Sequence, residues 1–120
     1  IEILVKGTKD RKEAKVSAEA VANSSLFKSA MFGANPNWGR VVQAIGASGI
    51  VLDQNKLQIS FNDIKVFDRG KVYSTDRLRN YLKHSDTIKV EVNFNKGIFQ
   101  YRVLTSDLST EYVKINAEYN

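Results

Sequence analysis

The sequence contains no cysteine in its 120 residues, which removes disulfides, thiolate metal sites and a thiol nucleophile. One histidine, His84, leaves no second imidazole to share a metal ion, so it reads as an exposed residue at a helix end. No apolar run approaches membrane-spanning length, and the opening residues lack the pattern of a signal peptide. No membrane partner is therefore expected, and a chain without cysteine suits a reducing, cytoplasmic home. There is no P-loop, no GxGxxG and no carboxylate pair at a telling spacing. Taken by themselves, the residues supply no catalytic set, metal site or cofactor site.

What is present is ordinary for a globular fold. Hydrophobic residues make up 42% and charged residues 26%, in a length that suits one domain over residues 1–120 with a single core. The net charge of +5 is concentrated in the middle of the chain, at Lys65, Arg69, Lys71, Arg77, Arg79 and Lys83. Such a cluster offers a surface for RNA or an acidic protein. Asp68 and Asp76 dilute it, and a solvated face is the simpler account. The chain opens on the strand-like run IEILVKG with no initiator methionine, which points to a processed chain or a fragment of a longer product.

Hydrophobic periodicity gives a coarse map. Ile1–Val5 reads as an interior strand ended by Gly7, with neighbouring apolar residues that suggest burial on both faces. Asp10 and Glu13 have capping-box spacing ahead of a helix carrying Ala14, Ala18, Val21 and Ala22. Ser24-Ser25 recaps a second helical turn, whose apolar face is expected to run through Leu26, Ala30 and Met31. A third helix carries Val41, Val42, Ala44 and Ile45 and closes at Gly46 and Gly49. Leu57, Ile59 and Phe61 alternate as a strand, and Asn62-Asp63 turns into a hairpin with Ile64–Val66. Asp68-Arg69-Gly70 turns again into Val72-Tyr73. A helix through Leu78 and Leu82 follows, capped by Ser74, Thr75 or Asp76. Ile88–Phe94 and Phe99–Val103 then predict a second hairpin around Asn95-Lys96-Gly97. The tail, DLSTEYVKINAEYN, fits either a strand or a short helix, with extended structure preferred. The expected class is α+β: an antiparallel or mixed sheet of four to six strands with two or three helices mainly on one face.

The stretch FGANPNWGR, Phe32–Arg40, stands out from this map. It holds the only proline, Pro36, and the only tryptophan, Trp38, between Gly33 and Gly39. Pro36 steers Asn35 out of the right-handed helical region and marks a corner. Trp38 brings a large apolar area and an N–H in need of a partner. Arg40, close to a helix start, can meet an anion beside free backbone N–H groups. The plainer account is a buried corner with Trp38 as its plug and Arg40 in a structural ion pair. Asn35, Asn37, Arg40, Asp107 and Asn116 are the residues able to read a small polar ligand. By residue chemistry alone, Asn116 serves local backbone.

Three anchors in order and spacing, SSLFKSA, FGANPNWGR and DLSTEYVKINAEY, resemble the ornithine acetyltransferase (glutamate N-acetyltransferase, ArgJ) family. That family carries SxLxKTAxFGxDPNWGR and, near its C-terminus, DLxxxYVxxNAxY followed by Thr or Ser. The resemblance implies a precursor that cleaves itself before a threonine into α and β chains assembled as α2β2. The new N-terminal threonine takes the acetyl group of N2-acetylornithine and passes it to glutamate; some members also accept acetyl-CoA. Covalent catalysis of this kind needs an activated nucleophile and an oxyanion hole, and no metal or cofactor. The family's nucleophile, oxyanion-hole and lysine positions fall outside these residues, so no catalytic residue is expected here.

By the same resemblance, the chain corresponds to the C-terminal part of a β chain, with the α chain and a second αβ unit as partners, and would be inactive alone. Asn116 matches the substrate-binding Asn of NAxY, while the terminal Thr or Ser would fall after Asn120. Asn37, Trp38 and Arg40 match the corner motif, where they are read as scaffold of the site or an interface. Asn35 replaces the family's usual Asp; an amide keeps a turn's hydrogen bonds but cannot pair ionically with Arg40. The alternative outside this family is a basic α+β module binding RNA or an acidic protein.

Overall fold

The structure, a computed structural model, describes residues 1–106. The helix-or-strand question for residues 109–119 lies outside them, as do Asp107 and Asn116. Six strands form one mixed sheet in the order β4-β3-β2-β5-β1-β6. They are β1 (Glu2–Thr8), β2 (Gln58–Phe61), β3 (Ile64–Asp68), β4 (Lys71–Val72), β5 (Lys89–Asn93) and β6 (Phe99–Leu104). Four helices, α1 (Arg11–Ala22), α2 (Ser25–Phe32), α3 (Trp38–Ala47) and α4 (Asp76–Lys83), join one buried cluster with the strands. The α+β class and the mixed sheet are thus as expected from the sequence.

Period two sets the sheet's two faces. Ile3 and Val5 of β1, Val90 and Val92 of β5, and Ile59 and Phe61 of β2 stand in register and are fully buried against the helices. The opposite face carries Glu2, Lys6, Gln58, Ser60, Lys65 and Glu91, and no described helix covers it. Leu4 lies on this second face and is half-buried, so β1 is an interior strand without full burial on both sides.

The helices follow from their caps. The Asp10 carboxylate accepts the N–H of Glu13 at 2.7 Å, and Glu13 reaches back to the N–H of Lys9 at 3.4 Å, one residue earlier than in a strict capping box. Besides the capping Glu13, the buried residues of α1 are Ala14, Ser17, Ala18, Val21 and Ala22, mostly small side chains that allow close approach to the sheet. Ser24 caps α2 through the N–H of Phe27 at 3.2 Å. The buried residues of α2 are Phe27, Ala30 and Met31, whereas Leu26 is 54% exposed. Phe27 therefore replaces Leu26 on the inner face, because the i, i+3, i+4 stripe runs 27, 30, 31. Gly46 lies inside α3, which is capped by Ser48 and followed by Gly49 at φ +89°.

The Asn62-Asp63 hairpin forms as expected, with both residues at positive φ (49° and 67°). Asn62 also ties this turn to β5: its Oδ1 accepts the N–H of Lys89 at 2.7 Å.

The second expected hairpin does not form. Strands β5 and β6 are separated by β1, which pairs parallel with β5 and antiparallel with β6. Alternation fixes which side chains share a face but not which strand is the neighbour, and the interior β1 takes both edges. Asn95-Lys96-Gly97 instead passes over the end of β1. The carbonyl of Gly7 accepts the N–H groups of both Lys96 and Gly97 at 2.8 Å. Gly7, expected to end β1, sits at φ +70° inside it, and the register with β6 shifts between Lys6 and Thr8.

Candidate functional site

The corner after α2 is built by a Schellman motif. The N–H of Asn35 reaches the carbonyl of Ala30 at 2.8 Å and that of Ala34 reaches Met31 at 3.0 Å. The left-handed position belongs to Ala34, at φ +52°, rather than to Gly33 before it. Pro36 follows and is buried, and cannot extend the helix. Asn37 then caps α3, its Oδ1 accepting the N–H of Arg40 at 3.1 Å. A Cβ at Gly39 would sit 3.2 Å from that oxygen, a tight fit that favours glycine there.

From this one turn the expected site residues diverge. Trp38 lies half-buried with its ring 4.8 Å from that of Phe67 on β3, tilted by 37°. Arg40 crosses to α2, donating from Nη1 to the carbonyl of Leu26 at 2.6 Å. Among the described residues Arg40 forms no ion pair, so the structural ion pair expected for it is replaced by this backbone contact. Its positive charge adds strength to a bond that pins α3 against α2.

On the far side of the corner lies a cleft of about 560 Å³. Gly33, Ala34, Lys83, Asp86, Ile1 and Ser106 are among the residues that line it. Local sequence patterns carry no signal of this grouping, since its lining comes from four separate segments that only the sheet order brings together. Its side chains include one ammonium, Lys83, and one carboxylate, Asp86, beside the apolar Met31, Leu82 and Ile88. No nucleophile paired with a base is among its residues.

The basic middle of the chain does not form one free surface. Asp68 accepts from Arg69 Nε at 2.8 Å, Gln58 Nε2 at 2.9 Å and Lys65 Nζ at 3.3 Å. The Arg69 hydrogen bond, followed by that of Gln58, holds the Asp68 carboxyl at about 2, below its ordinary 3.8. Phe61 and Phe94 are buried, and Tyr101 packs against the core, so these aromatics are not presented to bases.

A mixed-sheet α+β fold, with its helices on one side and a proline-tryptophan corner beside a cleft, defines the structural class. The ArgJ family profile matches residues 1–120. The chloroplastic arginine biosynthesis bifunctional protein ArgJ of Citrullus lanatus is 43% identical over 125 residues, covering 99% of this chain and 27% of that protein. The arginine biosynthesis bifunctional protein ArgJ of Ruegeria pomeroyi is 43% identical over 122 residues, covering 99% of this chain and 30% of its own length. The crystal structure of the arginine biosynthesis bifunctional protein argJ of Bacillus halodurans superposes with a TM-score of 0.90 at 34% identity. That match takes in 98% of this chain and 56% of the other.

The chain belongs to the ArgJ family. It spans under a third of the length of these curated relatives. Family membership displaces the alternative of an RNA-binding module.

Proposed function

We propose that this chain is the C-terminal part of the β chain of a glutamate N-acetyltransferase in arginine biosynthesis. The whole enzyme moves the acetyl group of N2-acetylornithine to glutamate through an N-terminal threonine acyl-enzyme, and acetyl-CoA is a second candidate donor. The observation that carries this reading is the family match across all 120 residues, together with relatives named as arginine biosynthesis bifunctional proteins. Splitting the transfer into two acyl steps lets donor and acceptor use one amino-acid pocket in turn. Self-cleavage, an α2β2 assembly and a cytoplasmic location belong to the same reading. Residues 1–120 act in it as one domain that supplies binding and scaffold rather than chemistry.

Within that domain Asn116 holds the amino-acid substrate, since an amide both donates and accepts and suits an ammonium beside a carboxylate. Asn37, Trp38 and Arg40 serve as scaffold. The cap, the Phe67 contact and the Leu26 bond fix the corner beside the cleft. The test is acetyl transfer from N2-acetylornithine to glutamate by the full-length gene product. Turnover with a product split into two chains supports the reading; clean cleavage without turnover sinks the substrate assignment. In the same product, Asn116→Ala is expected to raise KM for both substrates roughly ten-fold or more while self-cleavage proceeds. Unchanged KM values would remove Asn116 from the pocket.

A further inference from the structure

The sheet has two ends, and only one of them is blunted. At the β4 end the edge strand is two residues long and follows the tight Arg69-Gly70 turn, both features that discourage a further strand. At the other end β6 runs for six residues without proline, and its one charged side chain, Arg102, is turned onto Glu2 at 2.6 Å. Among the described residues nothing pairs with its outer edge. Large apolar side chains sit exposed at both ends of this edge: Ile98 at 90%, Phe99 at 43% and Leu104 at 68%. A long, unprotected edge flanked by exposed apolar groups is a template for an added strand.

We propose that the outer edge of β6 is a docking strand, completed by an extended segment of the same gene product from outside residues 1–120. The inference rests on the reading above that the chain is part of a longer enzyme. The size of the Bacillus halodurans chain supports this occupant. The same fold takes up 56% of that chain, and the remainder is polypeptide available to lie against it. The incoming strand supplies main-chain partners to β6 and apolar side chains to Ile98, Phe99 and Leu104.

The absence of cysteine from these residues makes the test direct. Ile98→Cys and Leu104→Cys are made separately in the full-length gene product and alkylated with a maleimide, natively and in urea, with the unsubstituted product as background. Both thiols are expected to react at least roughly ten-fold more slowly in the native product than in urea. Near-equal rates overturn the proposal. So does protection that falls on dilution, which would mean a second copy on the edge. Loss of protection on deleting only residues 107–120 from the full-length gene product also overturns it, because those residues would then be the occupant. Alkylation does not depend on turnover, so protection in a product without acetyl transfer keeps the docking edge and removes only the activity.

Discussion

The two faces of the sheet are made from the same strands and differ in almost everything else. Toward the helices, Ile3, Val5, Ile59, Phe61, Val90 and Val92 have no exposed area. Away from them, the same strands carry Lys6 paired with Glu91 at 3.1 Å and Glu2 paired with Arg102 at 2.6 Å. Burial of apolar area supplies most of the free energy of a small domain, at about 25 cal/mol per Å². Half-exposed ion pairs contribute little, because water competes for both partners and salt screens them. The helix-covered face should therefore set stability, and the open face should set solubility and what the domain can sit against.

That contrast can be broken most sharply at Phe61, which is fully buried and in register with Val90. Phe61→Ala is expected to cost about 3–5 kcal/mol, by lost transfer energy and the cavity left behind. Urea unfolding of the variant and parent chain is the measurement; a loss similar to that of an open-face substitution would end the comparison. The next largest effect belongs to the crossing that lets β1 lie between β5 and β6. At φ +70°, Gly7 already disfavours any side chain, and a Cβ there would run into the Asn93 amide and the backbone N of Asn95. Gly7→Val should destabilise by about 2 kcal/mol or more. A variant as stable as the parent would mean that the crossing can rearrange without loss.

On the open face the numbers should shrink. A double-mutant cycle on Lys6 and Glu91, with each changed to Ala, is expected to give a coupling below about 1 kcal/mol that fades in high salt. A larger, salt-insensitive coupling would show that the open face is drier than its exposure indicates.

The residues that made the covered face legible in sequence are those governed by local rules. Asp10 and Ser24 announce their helices by cap chemistry, and Asn62-Asp63 announces its turn by tolerance of positive φ. Phe61 and Val92 announce their side of the sheet by alternation. What stayed hidden was non-local. Nothing in Val90 or Tyr101 says that Ile3 and Val5 come between them, because a strand's pattern is silent on which strand it pairs with. The cleft was invisible for the same reason, since Ala34, Lys83 and Ser106 meet only once that strand order exists. The corner was conspicuous by its Pro36 and Trp38, yet composition could not say that Arg40 would reach a backbone carbonyl rather than a carboxylate. For Asn116 the assignment comes from the family motif alone, as the residue lies outside the described part of the chain.

The smallest expected effect lies in the best-provided charge cluster of the open face. Asp68 is within hydrogen-bond distance of Arg69, Gln58 and Lys65, and the Arg69 bond is the main reason its carboxyl falls from 3.8 to about 2. A carboxyl depressed in the folded chain binds its proton more readily once unfolded. Its stabilising contribution is therefore complete above 3.8, the ordinary value, and is lost as the pH falls from there toward 2. Asp68→Asn keeps an acceptor for Gln58 and Arg69 but cannot titrate. Urea midpoints across that window should fall more steeply for the parent than for the variant, by a margin that solvent screening keeps small. Parallel acid slopes would show that Asp68 is no better held in the folded chain than out of it. Even its three donors would then leave this face without a measurable share in stability.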